Sequence, residues 1–186
     1  MRPRFGTSRH LAPLTAALLV AGLLSGCGAD NPKPPPLPTP TNTATAPTEP
    51  ALPDAAKGTT KAAAVEFVKY YVSVLNASAL SGNTDELHRL ANPDCDVCMS
   101  FEKLITDTYT AGGEIRGDGW TVLDAWVSST GPDGSIDVET RIRVAPQTID
   151  DGDSVQEFAG RKRQTKHFSL APLRENWSLV DVNSLS

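Results

Sequence analysis

The sequence predicts an α+β domain over residues 59–186, in which three N-terminal helices precede a four-stranded antiparallel sheet. Apolar residues recur at helical spacing as far as Gly112-Gly113, and from Trp120 onward they alternate with polar residues. Helices that come before such a sheet are typical of the α+β class. The preceding residues divide into a signal peptide (1–26) and a disordered tether (27–58).

Three helices are predicted in the first half of the domain. Thr60 suits the N-cap of the first, residues 61–76, whose apolar residues fall on one face. Thr84 suits the cap of a short second helix, residues 85–91. Asp94 or Asp96 suits the cap of the third, which runs to about residue 111 and ends at the glycine pair, which favours a left-handed C-cap.

Four strands are predicted in the second half, over residues 120–128, 135–144, 162–170 and 177–182. The second strand has the clearest pattern, since its apolar and charged residues alternate from Ile136 to Val144. One buried and one solvated face indicate an antiparallel sheet. The segment between the second and third strands, with Asp150, Asp151 and Asp153, is predicted to be a polar loop.

The N-terminus has the order of a secretory signal peptide. Three arginines precede a mostly apolar run at residues 11–24, which is too short to span a bilayer. Leu24-Ser25-Gly26-Cys27 resembles the lipobox of bacterial lipoproteins. That resemblance implies a diacylglyceryl group on Cys27, cleavage before Cys27, and a lipid-anchored protein on the outer face of the cell membrane. An ordinary signal peptide is the alternative.

The tether that follows Cys27 is rich in proline and threonine. Nine of the 15 prolines lie between Pro32 and Pro53. Because proline fixes φ and lacks an amide hydrogen, neither helix nor sheet is expected here. We predict an extended, disordered spacer, with a proline-rich recognition ligand as the alternative.

The net charge and the distribution of basic residues limit the classes of partner that the protein is expected to bind. The net charge is −5, which argues against general binding of nucleic acid. Five basic residues cluster near the third strand and are suited to an acidic wall polymer or to lipid headgroups, although a solvated strand face is the favoured explanation: Arg161, Lys162, Arg163, Lys166 and His167.

Cys95 and Cys98 form a Cys-x-x-Cys pair at the start of the third helix. Outside the cytoplasm such a pair is expected to be oxidised. A structural disulfide is favoured, because Asp94 and Asp96 raise the pKa of a nearby thiol and the strand-turn-helix setting of a redox motif is missing. A thiol–disulfide exchange site is the alternative. No metal ligand set stands out.

A candidate pocket is formed by aromatic residues together with one carboxylate: Tyr71, Trp120, Asp124, Trp126 and Trp177. Asp124 shares a strand face with two of the tryptophans if the alternation is regular, and a buried carboxylate there can act as a base. Ordinary core packing and an exposed aspartate are the alternatives. No catalytic pair is found, so no catalytic residue is assigned.

The chain also resembles a known family. The segments that carry the resemblance are residues 67–71 (FVKYY), 95–98 (CDVC) and 109–113 (YTAGG), together with Trp177 and the lipobox with its tether. They resemble an actinobacterial lipoprotein family defined only as a domain of unknown function (domain of unknown function 6318). The order of elements is similar to the nuclear transport factor 2-like cone fold, which implies a curved, cone-like sheet. The resemblance implies an exported surface protein and brings no activity, cofactor or catalytic residue.

The sequence thus favours a non-enzymatic binding module at the cell envelope. Its expected attachments are the membrane, through Cys27, and an envelope protein or cell-wall polymer; no cofactor is expected. Two enzymatic alternatives remain open. One is thiol–disulfide exchange at Cys95 and Cys98, and the other is a small-molecule enzyme that uses the apolar pocket.

Overall fold

The structure, a computed structural model, describes residues 49–184. These residues belong to one compact unit. The predicted signal peptide, Cys27 and most of the predicted tether lie outside the described residues. None of the helices in the described part is long and apolar enough to cross a membrane.

Within the described residues, three α-helices precede the strands: α1 (Lys61–Ser81), α2 (Asp85–Leu90) and α3 (Asp96–Thr110). The Thr60 hydroxyl caps α1 by accepting a hydrogen bond from the Ala63 amide at 3.1 Å. Helix α1 runs five residues further than predicted and ends at Gly82, whose φ of +78° needs a residue without a Cβ. A Cβ at this glycine would also lie 2.6 Å from the Tyr109 ring.

Seven strands follow in the part of the chain that the structure describes: β1 (Glu114–Arg116), β2 (Trp120–Thr130), β3 (Ile136–Val144), β4 (Gln147–Asp150), β5 (Val155–Phe158), β6 (Arg161–Leu173) and β7 (Asn176–Ser184). The main sheet has the order β2-β3-β6-β7 and the small sheet the order β1-β4-β5, and every pairing is antiparallel. The predicted mixture of helices and antiparallel sheet is therefore confirmed.

The small sheet corrects the prediction of a polar loop. Its strands hold three or four residues each. Segments this short show too few alternations for a period of two to be recognised. Ile115 and Ile149, which pair across β1 and β4, are its buried residues.

The core lies between helix α1 and the main sheet. Helix α1 buries ten residues, more than any other helix. Near the centre, the rings of Tyr71 and Phe168 meet edge-on with centroids 6.4 Å apart, and both residues are fully buried. Burial of large apolar side chains on this scale is the main stabilising term of such a domain.

The segment before α1, which the sequence analysis placed in the tether, is in contact with the core. Residues 49–58 pack against the domain, with a short 3-10 helix at Asp54–Ala56, a fully buried Ala56, and Leu52 against the core. The Gly58 amide donates to the Asn176 side chain at 3.1 Å. Proline disfavours a long helix or a strand here, but it prevents neither the single 3-10 turn after Pro53 nor the burial of apolar residues of the segment.

Candidate functional site

An apolar pocket of about 130 Å³ lies between the two long helices and the strands. Helix α1 contributes one wall, helix α3 the second, and strands β1, β2 and β4 the floor. The lining residues are Leu75, Asn76, Ala79, Phe101, Leu104, Ile105, Ile115, Trp120, Gln147 and Ile149. Leu104 is 45% exposed and marks the solvent side of the pocket.

Trp120 is the aromatic wall of this pocket, and two side chains fix its ring. The Phe101 ring meets it edge-on with centroids 5.7 Å apart and an interplanar angle of 87°. The ammonium group of Lys166 lies 5.2 Å from the ring centroid, in cation–π range. Partial burial, and secondarily Arg161, lower the pKa of Lys166. These contacts make a defined aromatic surface on a strand end.

Asn76 fixes the backbone of the same tryptophan. Its side-chain amide donates to the Trp120 carbonyl at 2.8 Å, and its side-chain oxygen accepts from the Trp120 amide at 2.8 Å. Asn76 thus completes the hydrogen bonds of β2 where no neighbouring strand does so. The adjoining Gly119 has a φ of +67°, and a Cβ there would lie 2.1 Å from the Asn76 oxygen. We call Asn76, Gly119 and Trp120 the strand clamp.

The lining of the pocket is mainly apolar. None of its lining residues, all within the described part of the chain, is ionisable. Two lining residues have polar side chains, Asn76 and Gln147. The side-chain amide of Asn76 is already hydrogen-bonded within the strand clamp. Acid–base catalysis needs a titratable group within hydrogen-bond reach of the substrate, and this lining supplies none.

The structure does not bring the predicted pocket residues together. Asp124 and Trp126 lie on the opposite face of the main sheet from Trp120, where Arg141 pairs with Asp124 at 3.0 Å and covers the Trp126 ring at 5.2 Å. The cause is an irregularity in β2 between Val122 and Asp124. One extra residue reverses which face the following side chains occupy, so regular alternation fails there.

The other two predicted residues also lie elsewhere. Tyr71 is fully buried in the core, where burial, with a smaller effect from Glu102, raises the pKa of its hydroxyl. Trp177 is 4% exposed, and its indole donates to the Thr60 carbonyl at 3.3 Å. Of the five predicted residues, Trp120 alone lines the apolar pocket.

Cys95 and Cys98 form a disulfide, as the pattern predicted. Both residues are fully buried. Cys95 is the N-cap of α3, and its sulfur accepts from the Cys98 amide at 3.3 Å. Exchange requires that a thiolate reach a disulfide sulfur, so burial of both residues favours a structural bond.

A buried carboxylate beneath residues 49–53 was missed by the sequence analysis. Glu86 is 8% exposed, pairs with Arg89, and accepts from the Tyr70 hydroxyl at 2.8 Å. The same hydroxyl lies 3.1 Å from the Pro50 carbonyl. Burial, and then the bond to Glu86, raise the pKa of Tyr70, so the hydroxyl stays a donor. These contacts join elements distant in sequence, and no local pattern signals them.

A groove of about 590 Å³ runs beside this carboxylate. Leu52, Phe67 and Trp177 line it together with the charged pair of Glu86 and Arg89. Within residues 49–184, no group of three or more His, Cys, Asp or Glu side chains is arranged to hold a metal ion. The acidic residue Asp151 instead accepts hydrogen bonds from Ser154 in the turn between β4 and β5.

Comparisons with known proteins give a family and a fold. The model of a family described as "Family of unknown function (DUF6318)" matches residues 38–181. No curated protein matches the chain. Among solved structures, the chain is similar to the crystal structure of the intermembrane space region of chloroplast protein ARC6, with a TM-score of 0.53 and 13% identity. That match covers 68% of this chain and 97% of the other, and at this identity it shows similarity of fold alone.

Proposed function

The chain belongs to the family of unknown function (DUF6318), and we propose that it is a lipid-anchored, non-enzymatic interaction module at the outer face of the cell membrane. The anchor in this proposal is a diacylglyceryl group on Cys27, supported by the lipobox-like sequence that ends at this residue. Two acyl chains give stable attachment where a single chain is marginal.

The observation that carries the binding role is the size and lining of the Trp120 pocket. Sites for drug-sized ligands are typically about 300–1,000 Å³. A cavity of about 130 Å³ is closer to the engineered cavity of ~150 Å³ that holds benzene. It therefore suits one apolar side chain or a single ring.

A protein partner fits this site better than a cell-wall polymer. Apolar or aromatic anchor residues that insert into preformed pockets carry much of the energy of protein–protein contacts. A polysaccharide presents hydroxyl groups, and the pocket offers them few partners besides Gln147. We therefore propose an envelope protein that inserts an apolar anchor beside Trp120.

The enzymatic alternatives have less support. The Cys95–Cys98 bond is buried, which disfavours thiol exchange, and the pocket lining lacks an ionisable group. We also propose that the main sheet curves in the cone-like manner of the nuclear transport factor 2-like fold. The register irregularities in β2, β6 and β7 support this, because bulges bend strands.

Photo-crosslinking tests the binding role. A photoreactive amino acid replaces Leu104, at the pocket rim, in the full-length chain in its own membranes. We expect one discrete adduct with an envelope protein. The neighbouring exposed Lys103 is the matched control and should give no such adduct. Equal adducts from both positions, or none from position 104, would contradict the proposed site.

The anchor is tested separately. Cys27→Ser should abolish lipid labelling and release the chain from the membrane fraction. A variant that stays membrane-bound and still carries label would refute lipidation at this cysteine. Because the anchor and the pocket involve different residues, either proposal can fail without the other.

A further inference from the structure

Strand β5 is an open edge of the small sheet. It pairs with β4 on one side, and all four of its residues are exposed. Val155 is 61% exposed and Phe158 is 48% exposed. An edge strand with unpaired backbone groups and exposed apolar side chains is a template for pairing with another strand.

Charges of opposite sign flank this strand. Before it lie Asp150, at the end of β4, and the turn residues Asp151 and Asp153; after it lie Arg161, Lys162 and Arg163 at the start of β6. If two copies align antiparallel, the acidic turn of one lies beside the basic segment of the other. A parallel alignment places like charges side by side. The charge pattern is thus complementary to a second copy of this chain in the antiparallel direction.

The faces of the strand and its charges select one register. Cross-strand neighbours must lie on the same face of a continuous sheet, so an isologous pair places one residue opposite its own copy. Pairing along most of β5 requires that this residue be one of the two central ones, Gln156 or Glu157. With Glu157 in that position, two carboxylates would oppose each other, which is destabilising. Gln156 is neutral. With Gln156 on the axis, Val155 of one copy lies opposite Glu157 of the other. The end of the hairpin that holds Asp150 and Asp151 then approaches the basic segment of the other copy.

We propose that two copies of this chain pair antiparallel through β5, with Gln156 on the two-fold axis. The two small sheets then form one six-stranded sheet, and the exposed Val155 and Phe158 each gain a neighbouring strand. A contact of four residues per chain is small beside a standard interface, so the dimer is weak and depends on concentration. The β5 edge is separate from the Trp120 pocket lining, so the proposal does not depend on the proposed function.

Cysteine crosslinking at β5 tests the pairing and its register together. Gln156→Cys is introduced into the full-length chain in membranes and oxidised with copper phenanthroline. Two such cysteines on the axis fall within the Cα separation of roughly 4.4–6.8 Å that a disulfide needs. In Glu157→Cys the two positions are offset by two residues along the strands, which puts their Cα atoms roughly 8 Å apart.

The expected result is a disulfide-linked dimer from Gln156→Cys and at least about fivefold less from Glu157→Cys. The parent chain shows any background from Cys27. Equal yields from the two variants would indicate random collision and overturn the proposal. A yield that favours Glu157→Cys, or no dimer from either variant, would overturn it as well.

The charge complementarity is tested in the Gln156→Cys background. Lys162→Glu places a carboxylate against the acidic turn of the other copy, and the crosslinking yield should fall at least about threefold. Lys61→Glu makes the same charge change at an exposed position on α1 and should leave the yield unchanged. An equal fall in both variants, or no fall with Lys162→Glu, would contradict the proposed alignment.

Discussion

Replacing Asn76 by alanine should loosen the strand clamp and destabilise the domain. The substitution removes both hydrogen bonds to the Trp120 backbone, each 2.8 Å long. A hydrogen bond contributes about 1 kcal/mol net, so the loss should be about 2 kcal/mol. For a domain of this size, that lowers Tm by roughly 6–10 °C. Denaturant and thermal unfolding followed by circular dichroism measure the change.

Asn183→Ala is a matched control, because Asn183 is exposed and its side chain bonds to the nearby Asp181. It should change the free energy of unfolding by less than about 0.5 kcal/mol, as most surface substitutions do. If Asn76→Ala also stays below that value, the two hydrogen bonds do not hold β2, and the account of the pocket wall is wrong.

A double-mutant cycle extends this prediction to Gly119. Gly119→Ala alone puts a Cβ 2.1 Å from the Asn76 oxygen and forces an alanine to a φ of +67°, so it should cost more than about 2 kcal/mol. Adding Asn76→Ala removes the clash and leaves the backbone term of about 1–2 kcal/mol. The two changes should therefore cost less together than the sum of the single effects, and strict additivity would show that the residues are not coupled.

Three further predictions concern the disulfide, an acidic side chain and the segment before α1. Replacing Cys95 and Cys98 together by serine should lower the free energy of unfolding by about 2 kcal/mol, as expected for a four-residue loop, and a loss near zero in denaturant unfolding would argue against a stabilising bond. The pKa of Asp137 is lowered, chiefly by its hydrogen bond from Ser129, so it stabilises the fold at neutral pH and this contribution is lost as pH falls below the ordinary value of 3.8. Asp137→Asn should therefore flatten the loss of stability measured between about pH 4 and pH 2, and an unchanged slope would refute that role. Leu52→Ser should speed proteolytic cleavage within residues 49–58, since Leu52 packs against the core; an unchanged rate would mean that this packing does not hold the segment.

The features that the sequence predicted are those with strong local signals. Helix α1 has a cap at Thr60 and a long apolar stripe, and β3 alternates without interruption from Ile136 to Val144. The Cys95–Cys98 disulfide is predicted from two cysteines three residues apart and from an oxidising compartment. Each of these depends on neighbours in sequence, which a single chain displays.

The features that sequence analysis missed depend on contacts between distant residues. The irregularity at Val122–Asp124 moves Asp124 and Trp126 to the outer face of the sheet, and no residue type in that stretch predicts a bulge. In the sequence, Asn76 is indistinguishable from any other helix position, because the Trp120 backbone groups that it binds lie 44 residues away. Of the pocket lining, the sequence analysis therefore named Trp120, and the other lining residues required the fold.

A single substitution tests the proposed role of the Trp120 pocket most directly. Ala79→Leu adds a larger side chain to the lining of a cavity of about 130 Å³ and should fill much of it. Filling a cavity is neutral or stabilising when the new side chain fits, whereas a partner's anchor residue would be excluded. Ala62→Leu makes the same change at an exposed position of α1.

The measurement is the yield of the photo-crosslinked adduct from position 104 in the two variants, with the free energy of unfolding recorded beside it. The account predicts that Ala79→Leu keeps or raises stability and loses the adduct, while Ala62→Leu retains it. An undiminished adduct in a stably folded Ala79→Leu chain would contradict the proposal that the Trp120 pocket binds the partner.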